Sequence, residues 1–474
     1  MSFNRARLLV RSGRTVSLPE SESALERFLR IFADVRGGEA WTAILLMFNL
    51  FTLLTAYLII KTVREPLILA SGGAEIKSYA AAGQAVLLLL VVPAYSFIAT
   101  KVNRIKLITC VVLFFISNLV VFFVLGRLQV PLGVVFFLWV GIFNLLVIAQ
   151  FWSFANDLYT QEQGKRLFAL VAFGGSLGAI AGPKVAGWLF EPLGPYPLML
   201  VTAALLAVYL VVMILVNGRE KRTSEASAIK QPESERPLGK EGAFKLVLKQ
   251  RYLLLIALLL VALNLVNTTG EFILGKTVTT RAQEVIAVEE TQTRGAGMAR
   301  PAAGSEREKA VHAFIGEFYA NFFFWVSLIS AVVQLFLVSR IIKYMGVSAA
   351  LFVLPAIALG SYSLMVFMPV LSYIMAAKMV ENSVDYSLQN TCRQALFLPT
   401  SREAKYKAKA AIDSFFVRAG DVLSSMVVFI GVQLALDTGA IAKINIAFVI
   451  LALLLVAGIG RHYKRLTAEA GPAG

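Results

Sequence analysis

The 474 residues are 58% hydrophobic and 16% charged, carry a formal charge of +16, and have a mean hydropathy of +0.73. This is far from the composition of a soluble domain: apolar runs of about 18 residues or more recur along nearly the whole length, each able to cross a hydrocarbon core. The runs are continuous rather than alternating, which excludes a β-barrel, and no polar, aromatic-interleaved region is available for nucleic acid.

Cys110 and Cys392 lie in separate apolar runs, and His312 and His462 are far apart, so neither a disulfide framework nor a metal site is expected. No cofactor is expected either. The positive charge reads first as membrane orientation.

In chain order, residues 1–40 form a polar, basic tail in which Leu25, Phe28, Leu29, Phe32 and Val35 make one apolar helical face suited to a membrane surface. The first long apolar run begins near Trp41 and is full length, so no signal peptide is expected. Six apolar segments follow, roughly 41–61, 78–100, 106–126, 131–155, 167–190 and 195–217, making an N-terminal half over 41–217. A polar linker occupies 218–251. Six more segments, about 252–274, 314–339, 347–369, 371–398, 410–436 and 441–460, make a C-terminal half over 252–460, followed by a tail over 461–474.

The expected fold is therefore all-α, about twelve transmembrane helices in two six-helix pseudo-repeats. Short loops at 101–106, 156–166, 340–343 and 399–409 carry Lys and Arg, whereas 191–194 and 370 carry none. Positive-inside then places both termini and the linker in the cytoplasm, in a bacterial inner membrane. Residues 275–313 read as a longer outer loop.

The two halves resemble each other. KTVREPLIL (61–69) aligns with NTTGEFILG (267–275), placing Glu65 on Glu271 and Thr62 on Thr268, and LYTQEQGK (158–165) aligns with LPTSREAK (398–405). Weak self-similarity at matching positions fits a major-facilitator arrangement, with a site between the halves near midplane.

Ionisable groups inside membrane helices normally face a water-filled path or a partner charge. In the tenth segment Lys378, Glu381, Asp385 and Arg393 fall within an arc of about 120° on one helical side. Arg64 and Arg393 are the candidate anion binders, by paired guanidinium donors; the alternative is pairing with internal acids such as Glu65 or Asp385. Glu271 either balances a cationic cavity or carries a proton, or else bridges to Lys276. Asp413, Arg418 and Asp421 form either an inner gate or a fixed network.

Gly174, Gly178 and Gly182 make a smooth face, for sliding or for tight static packing. GEFILGKT (270–277) satisfies the P-loop pattern but follows a helix rather than a strand, and no second phosphate-site strand comes after it.

With these residues in view, the chain resembles the nucleotide transporter family, the non-mitochondrial ATP/ADP translocases of plastids and intracellular bacteria. FWSFANDLYTQEQGKRLFALVAFGGSLGAIAG (151–182) is similar to the family's FW-x-FAN…EAKR-F segment. DYSLQNTCRQALFLP…AKYKAKAAID (385–413) is similar to its KY-x-L-x-x-x-x-KE-x-x-Y-x-P…K-x-KGKAAID segment. KTVREPLILASGGAE (61–75) and NLVNTTGEF (264–272) resemble its first-segment and seventh-segment motifs.

The resemblance implies nucleotide transport without enzymatic turnover. It puts Arg64 and Arg393 in the places of family lysines, and Glu271 in the place of the seventh-segment glutamate. Two departures bear on strict ATP-for-ADP exchange: the family's fourth-segment glutamate falls near Val140, and the family lysine at Asp385 has become an acid.

The expected substrate-binding set is Arg64, Arg393, Glu271, Lys61, Asn144 and Asp385, and the expected coupling or gating set is Glu65, Asp413, Arg418, Asp421, Lys165 and Lys405. The expected partners are a nucleotide or other organic anion and the lipid bilayer, with the protein acting as a monomer. Rival readings are proton-coupled uptake of another organic anion, a non-transporting membrane scaffold or sensor, and an ATP-hydrolysing pump resting on 270–277 alone.

Overall fold

The structure, a computed structural model, describes residues 39–99, 101–159, 161–226, 243–295, 304–401, 404 and 408–469. The apolar face of the 1–40 tail lies outside these residues, as does most of the linker. Among the described residues the secondary structure is helical throughout, the arrangement that satisfies backbone hydrogen bonds within each apolar segment. Nine of these helices are long and apolar enough to cross a membrane.

The first helix, α1 (Ala40–Ala99), runs for 60 residues and is broken at Gly73, where φ is 70° and ψ is −178°. In one straight helix Glu65 and Lys77 would lie about 18 Å apart along the axis. Their side chains instead meet at 2.6 Å, so the chain bends back at Gly73, a backbone conformation that glycine adopts without a Cβ penalty. The first apolar segment, read over about 41–61, thus continues as helix to the break at Gly73. Hydropathy falls over 61–77 because Lys61, Arg64, Glu65 and Lys77 face an internal cavity.

Then follow α2 (Arg104–Arg127), α3 (Gly133–Leu158), α4 (Gln161–Leu193) and α5 (Pro195–Ala226). A short α6 (Ala243–Lys249) precedes α7 (Arg251–Gly295) and α8 (Gly304–Val332). The outer-loop reading of 275–313 is also corrected: α7 stays helical to Gly295, because Arg281, Gln283, Glu284, Glu289 and Glu290 lower the hydropathy yet, like Ala282, are good helix formers that extend it.

After α8 come α9 (Val338–Ala350), α10 (Val353–Phe367), α11 (Leu371–Val384), α12 (Asn390–Ala395), α13 (Lys409–Ala411), α14 (Val417–Gln433) and α15 (Thr438–Glu469). Three π-helical turns, Val333–Leu337, Asp385–Gln389 and Ile412–Phe416, join α8 to α9, α11 to α12 and α13 to α14.

Three apolar cores organise the bundle. One lies wholly within the N-terminal half, with Phe115, Phe136, Phe143 and Tyr209 fully buried. Another joins α6, α7, α9 and α15 within the C-terminal half. The third crosses between halves, packing Ile68, Leu69, Ala74 and Phe137 against Phe272, Tyr319 and Phe322.

The glycine stripe of α4 packs against α1. A Cβ at Gly174 would come within 2.1 Å of the Met47 carbonyl oxygen, one at Gly178 within 2.3 Å of that of Phe51, and one at Gly182 within 2.8 Å of that of Thr55. Both helices belong to the same half, so the stripe reads as static packing.

Replacing Gly178 by Leu is expected to destabilise the protein by about 1–3 kcal/mol through overpacking. Gly218→Ala, where no atom lies within 4 Å of the added Cβ, is expected to be neutral or slightly stabilising. Thermal unfolding of the detergent-solubilised variants measures both, and equal stability for the two would overturn the close-approach account.

Candidate functional site

A cavity of about 170 Å³ lies between the two halves. Along α1, Lys61, Arg64 and Glu65 follow the i, i+3, i+4 spacing that puts them on one face, and after the Gly73 break Ala74, Lys77 and Ser78 do the same, with Gln84 two turns beyond Lys77. From the other half, α7 supplies Asn267, Thr268 and Glu271, and α14 supplies Arg418 and Asp421. Four rings, Phe137, Phe272, Phe323 and Tyr386, also line the wall.

Most of these charges are already matched. Glu65, only 1% exposed, is bonded by the Arg64 guanidinium and lies 2.6 Å from Lys77. Lys77 also lies 3.8 Å from Glu271 of the opposite half, and the Glu271 carboxylate accepts a 3.0 Å bond from the Asn382 amide. Asp421 accepts from Asn264 at 2.7 Å, from Thr268 at 2.8 Å and from Arg418 at 3.0 Å, so its lone pairs are well used and it holds Arg418 at the cavity edge.

Four cationic side chains thus face three acidic ones. Among the described residues Lys61 has no carboxylate at ion-pair distance. Its ammonium stands 4.4 Å from the Phe323 ring centre and 5.6 Å from that of Tyr386, and such rings attract a cation more weakly than a carboxylate does.

Of the residues expected from the sequence, Lys61, Arg64, Glu65, Glu271, Arg418 and Asp421 come together here. Asn144 is half-buried on α3 and does not line the cavity, and neither does Asp385, at the start of a π turn. Arg393 is carried away from the cavity. The π turn Asp385–Gln389 inserts an extra residue and rotates the rest of the segment by roughly 100°, which undoes the shared arc with Lys378 and Glu381. Arg393 instead donates to Asn390 at 3.1 Å and lies 3.7 Å from Asp413, itself bonded by Lys409 at 2.9 Å. The partner expected for it, Asp385, is not the one it meets. Lys405 and the Lys165 side chain lie outside the described residues.

The alternative bridge from Glu271 to Lys276 is corrected as well. Lys276 lies one turn or more further along α7 and pairs with Glu75 at 3.1 Å. The 270–277 stretch is continuous helix, so its backbone N–H groups are committed within the helix and form no phosphate-cradling turn. Sequence reasoning missed Lys77, Gln84, Asn267 and Phe323. The signal for Lys77 was its position four residues after a glycine in an otherwise apolar neighbourhood.

At the Gly73 end, links cross between halves: Glu75 with Lys276, the Ser425 hydroxyl donating to the Ser78 carbonyl at 2.5 Å, and Tyr79 against Phe429 with ring centres 6.3 Å apart. At the opposite end the ion pairs among the described residues stay within one half: Glu39–Arg166, Arg104–Asp157 and Lys409–Asp413.

Glu75 and Lys276 are each about a third exposed, so their attraction alone contributes about 0–1 kcal/mol. Charge reversal is the sharper probe. In a background lacking Cys110 and Cys392, a cysteine at the buried Ser78 is expected to react slowly with maleimide. Labelling should quicken in Lys276→Glu and slow again in Glu75→Lys/Lys276→Glu. Equal labelling in all three would show that this pair does not hold the end closed.

A family model described as TLC ATP/ADP transporter matches residues 131–278. The ADP,ATP carrier protein 1 of Chlamydia pneumoniae is 23% identical over 315 residues, covering 58% of this chain and 56% of that one. The protein of the same name from Chlamydia trachomatis serovar D is 23% identical over 325 residues, covering 60% and 55%. The chain spans about half the length of the curated relatives it matches.

Among solved structures, the nucleoside transporter NupG superposes with a TM-score of 0.57 at 13% identity, over 89% of this chain and 99% of that one. A bacterial homologue of the iron transporter ferroportin, in an inward-facing state, superposes with a TM-score of 0.58 at 14% identity, over 89% and 98%. These likenesses carry the fold. Over part of its length the chain is thus similar to the nucleotide transporter family, on an all-helical, major-facilitator-like fold.

Proposed function

We propose that the chain is a secondary transporter that moves a nucleotide across a membrane by alternating access, with ATP-for-ADP exchange as its mode. The observation that carries this reading is the inter-half cavity, in which one cation, Lys61, stands without an acidic partner among the described residues. A polyphosphate entering there gains an ammonium whose attraction is not already spent on a carboxylate, in surroundings that strengthen it.

In this reading Lys61 and Arg64 hold phosphate oxygens, Glu65 fixes the Arg64 guanidinium, and Tyr386, exposed beside Lys61, stacks the base. The cross-half links at the Gly73 end make this the facing open towards the end that holds Glu39 and Glu469. That end is cytoplasmic by the charge rule. Arg393, with Lys409 and Asp413, then belongs to the gate at the cytoplasmic mouth. Counting α1 as two spans, α8 with α9 as one, and α11 with α12 as one brings the tally to twelve, six in each half, in a monomer of a bacterial inner membrane. The chlamydial relatives are named as ADP,ATP carriers, which supports the nucleotide as substrate.

The test is uptake of labelled ATP into proteoliposomes preloaded with ADP or left empty. Exchange predicts uptake only into loaded vesicles. Lys61→Ala is expected to raise the half-saturating ATP concentration about 10- to 100-fold, because a hydrogen bond to a charged group contributes about 1.5–3 kcal/mol. Lys184→Ala, outside the cavity, should leave it unchanged. Equal ATP dependence in the Lys61 variant and the parent would remove Lys61 from the site.

A further inference from the structure

Behind the cavity wall, inside the C-terminal half, lies a second pair of ionisable groups. Lys378 is 0% exposed and Glu381 is 3% exposed, one turn apart on α11, with the ammonium 3.1 Å from the Glu381 carboxylate. Lys378 also donates to the Asn267 side-chain oxygen at 2.9 Å. The Glu381 Oε2 atom is buried and has no hydrogen-bond partner among the described residues.

Room for the pair depends on Gly270 of α7. A Cβ there would come within 2.1 Å of the Tyr362 hydroxyl and 3.0 Å of the Lys378 Nζ.

A buried ion pair is poor evidence of stabilisation, because apolar side chains of similar volume usually do as well. Ionisable groups at membrane depth instead mark ion and proton pathways. We propose that Lys378 and Glu381 form a proton-binding site, which takes up and releases one proton as the transporter changes facing. The chemistry balances simply: one proton from cavity water joins the Glu381 carboxylate to give the neutral acid, and Lys378 keeps its charge, so the pair passes from zero to +1.

The surroundings suit both states. Tyr362 spends its own proton on the Val266 carbonyl at 2.8 Å and lies 3.4 Å from Glu381 Oε1, so its oxygen is free to accept from the protonated acid. The charged and titratable groups facing Glu381 are Lys378 and Asp385 on its own segment, Glu271 from α7 and Tyr362 from α10. From α8 the neighbouring core residues are apolar, Phe322 and Val326.

The site communicates with the cavity at two points. Asn267 lines the cavity and accepts from Lys378. Asn382, next to Glu381, donates to Glu271. An added positive charge at the pair therefore acts on Glu271 and, through it, on Lys77. The coupling to cargo rests on the transport reading above, whereas the proton site itself does not.

Two measurements test it. Infrared difference spectra of the reconstituted protein across a pH titration should contain the C=O stretch of a protonated carboxylic acid that is absent in Glu381→Gln. The variant Lys378→Met/Glu381→Gln, which leaves no buried charge unpaired, should fold and lack the same band. A pH-sensitive dye inside ADP-loaded proteoliposomes should report acidification as ATP enters in exchange for ADP in the parent and none in Glu381→Gln, while labelled ATP still exchanges in that variant.

A titrating band unchanged by either substitution, or acidification that survives Glu381→Gln, would overturn the proposal. The infrared titration decides the site even if no nucleotide is moved, so the two readings fail separately.

Discussion

One lysine lies between two glutamates that occupy matching positions in the two halves, and the arrangement of the cavity depends on it. Glu65 and Glu271 align in the internal repeat, and the ammonium of Lys77 is 2.6 Å from the first and 3.8 Å from the second. Two carboxylates facing each other in a site shielded from water repel: unit charges about 4 Å apart interact by ~4 kcal/mol at an effective dielectric of 20. Lys77 turns that repulsion into a bridge. It reaches Glu65 only because the chain reverses at Gly73, so a backbone conformation and a charge balance are solved by the same few residues. Arg64 takes the other oxygen of Glu65, and with those groups satisfied Lys61 is left as the cation in surplus.

The same bridge joins bodies whose interiors are otherwise separate. One core fills the N-terminal half and another fills the inner part of the C-terminal half, and only the third runs across. The links that accompany it are short-range and modest: a partly exposed ion pair, one serine hydroxyl and an edge-to-face ring contact. Close packing sets α4 glycines against α1 carbonyls within the N-terminal half, and it also crosses between the halves, where a Cβ at Gly316 of α8 would come within 2.3 Å of the Phe190 ring of α4.

Much of this was legible in the sequence because hydropathy and charge act over long stretches. The apolar segments, the alignment of Glu65 with Glu271, and the choice of Lys61, Arg64 and Glu271 as site residues all stem from patterns that survive small errors of register. What was not legible depends on single residues. The π turn at Asp385–Gln389 adds one residue to a turn, and no propensity marks it, yet it sends Arg393 to Asp413. The reversal at Gly73 is written in one glycine among several. Lys77 was not singled out, since a lysine at the edge of an apolar run usually reaches for water; here the chain folds back and buries it. In the same way the helix beyond Lys276 was read as loop, since polar composition lowers hydropathy without breaking a helix.

The departure at the fourth segment can be understood in terms of the same charge balance. The family glutamate falls near Val140, and here Val140 is fully buried in the N-terminal core. The polar group that approaches α3 at this level is Gln84, whose amide sits so close to Gly141 that a Cβ there would come within 2.1 Å of it. Gln84 also lines the cavity. A neutral amide can donate and accept but brings no charge. Gln84 thus meets α3 at this level without adding to the three acids that face four cations across the cavity.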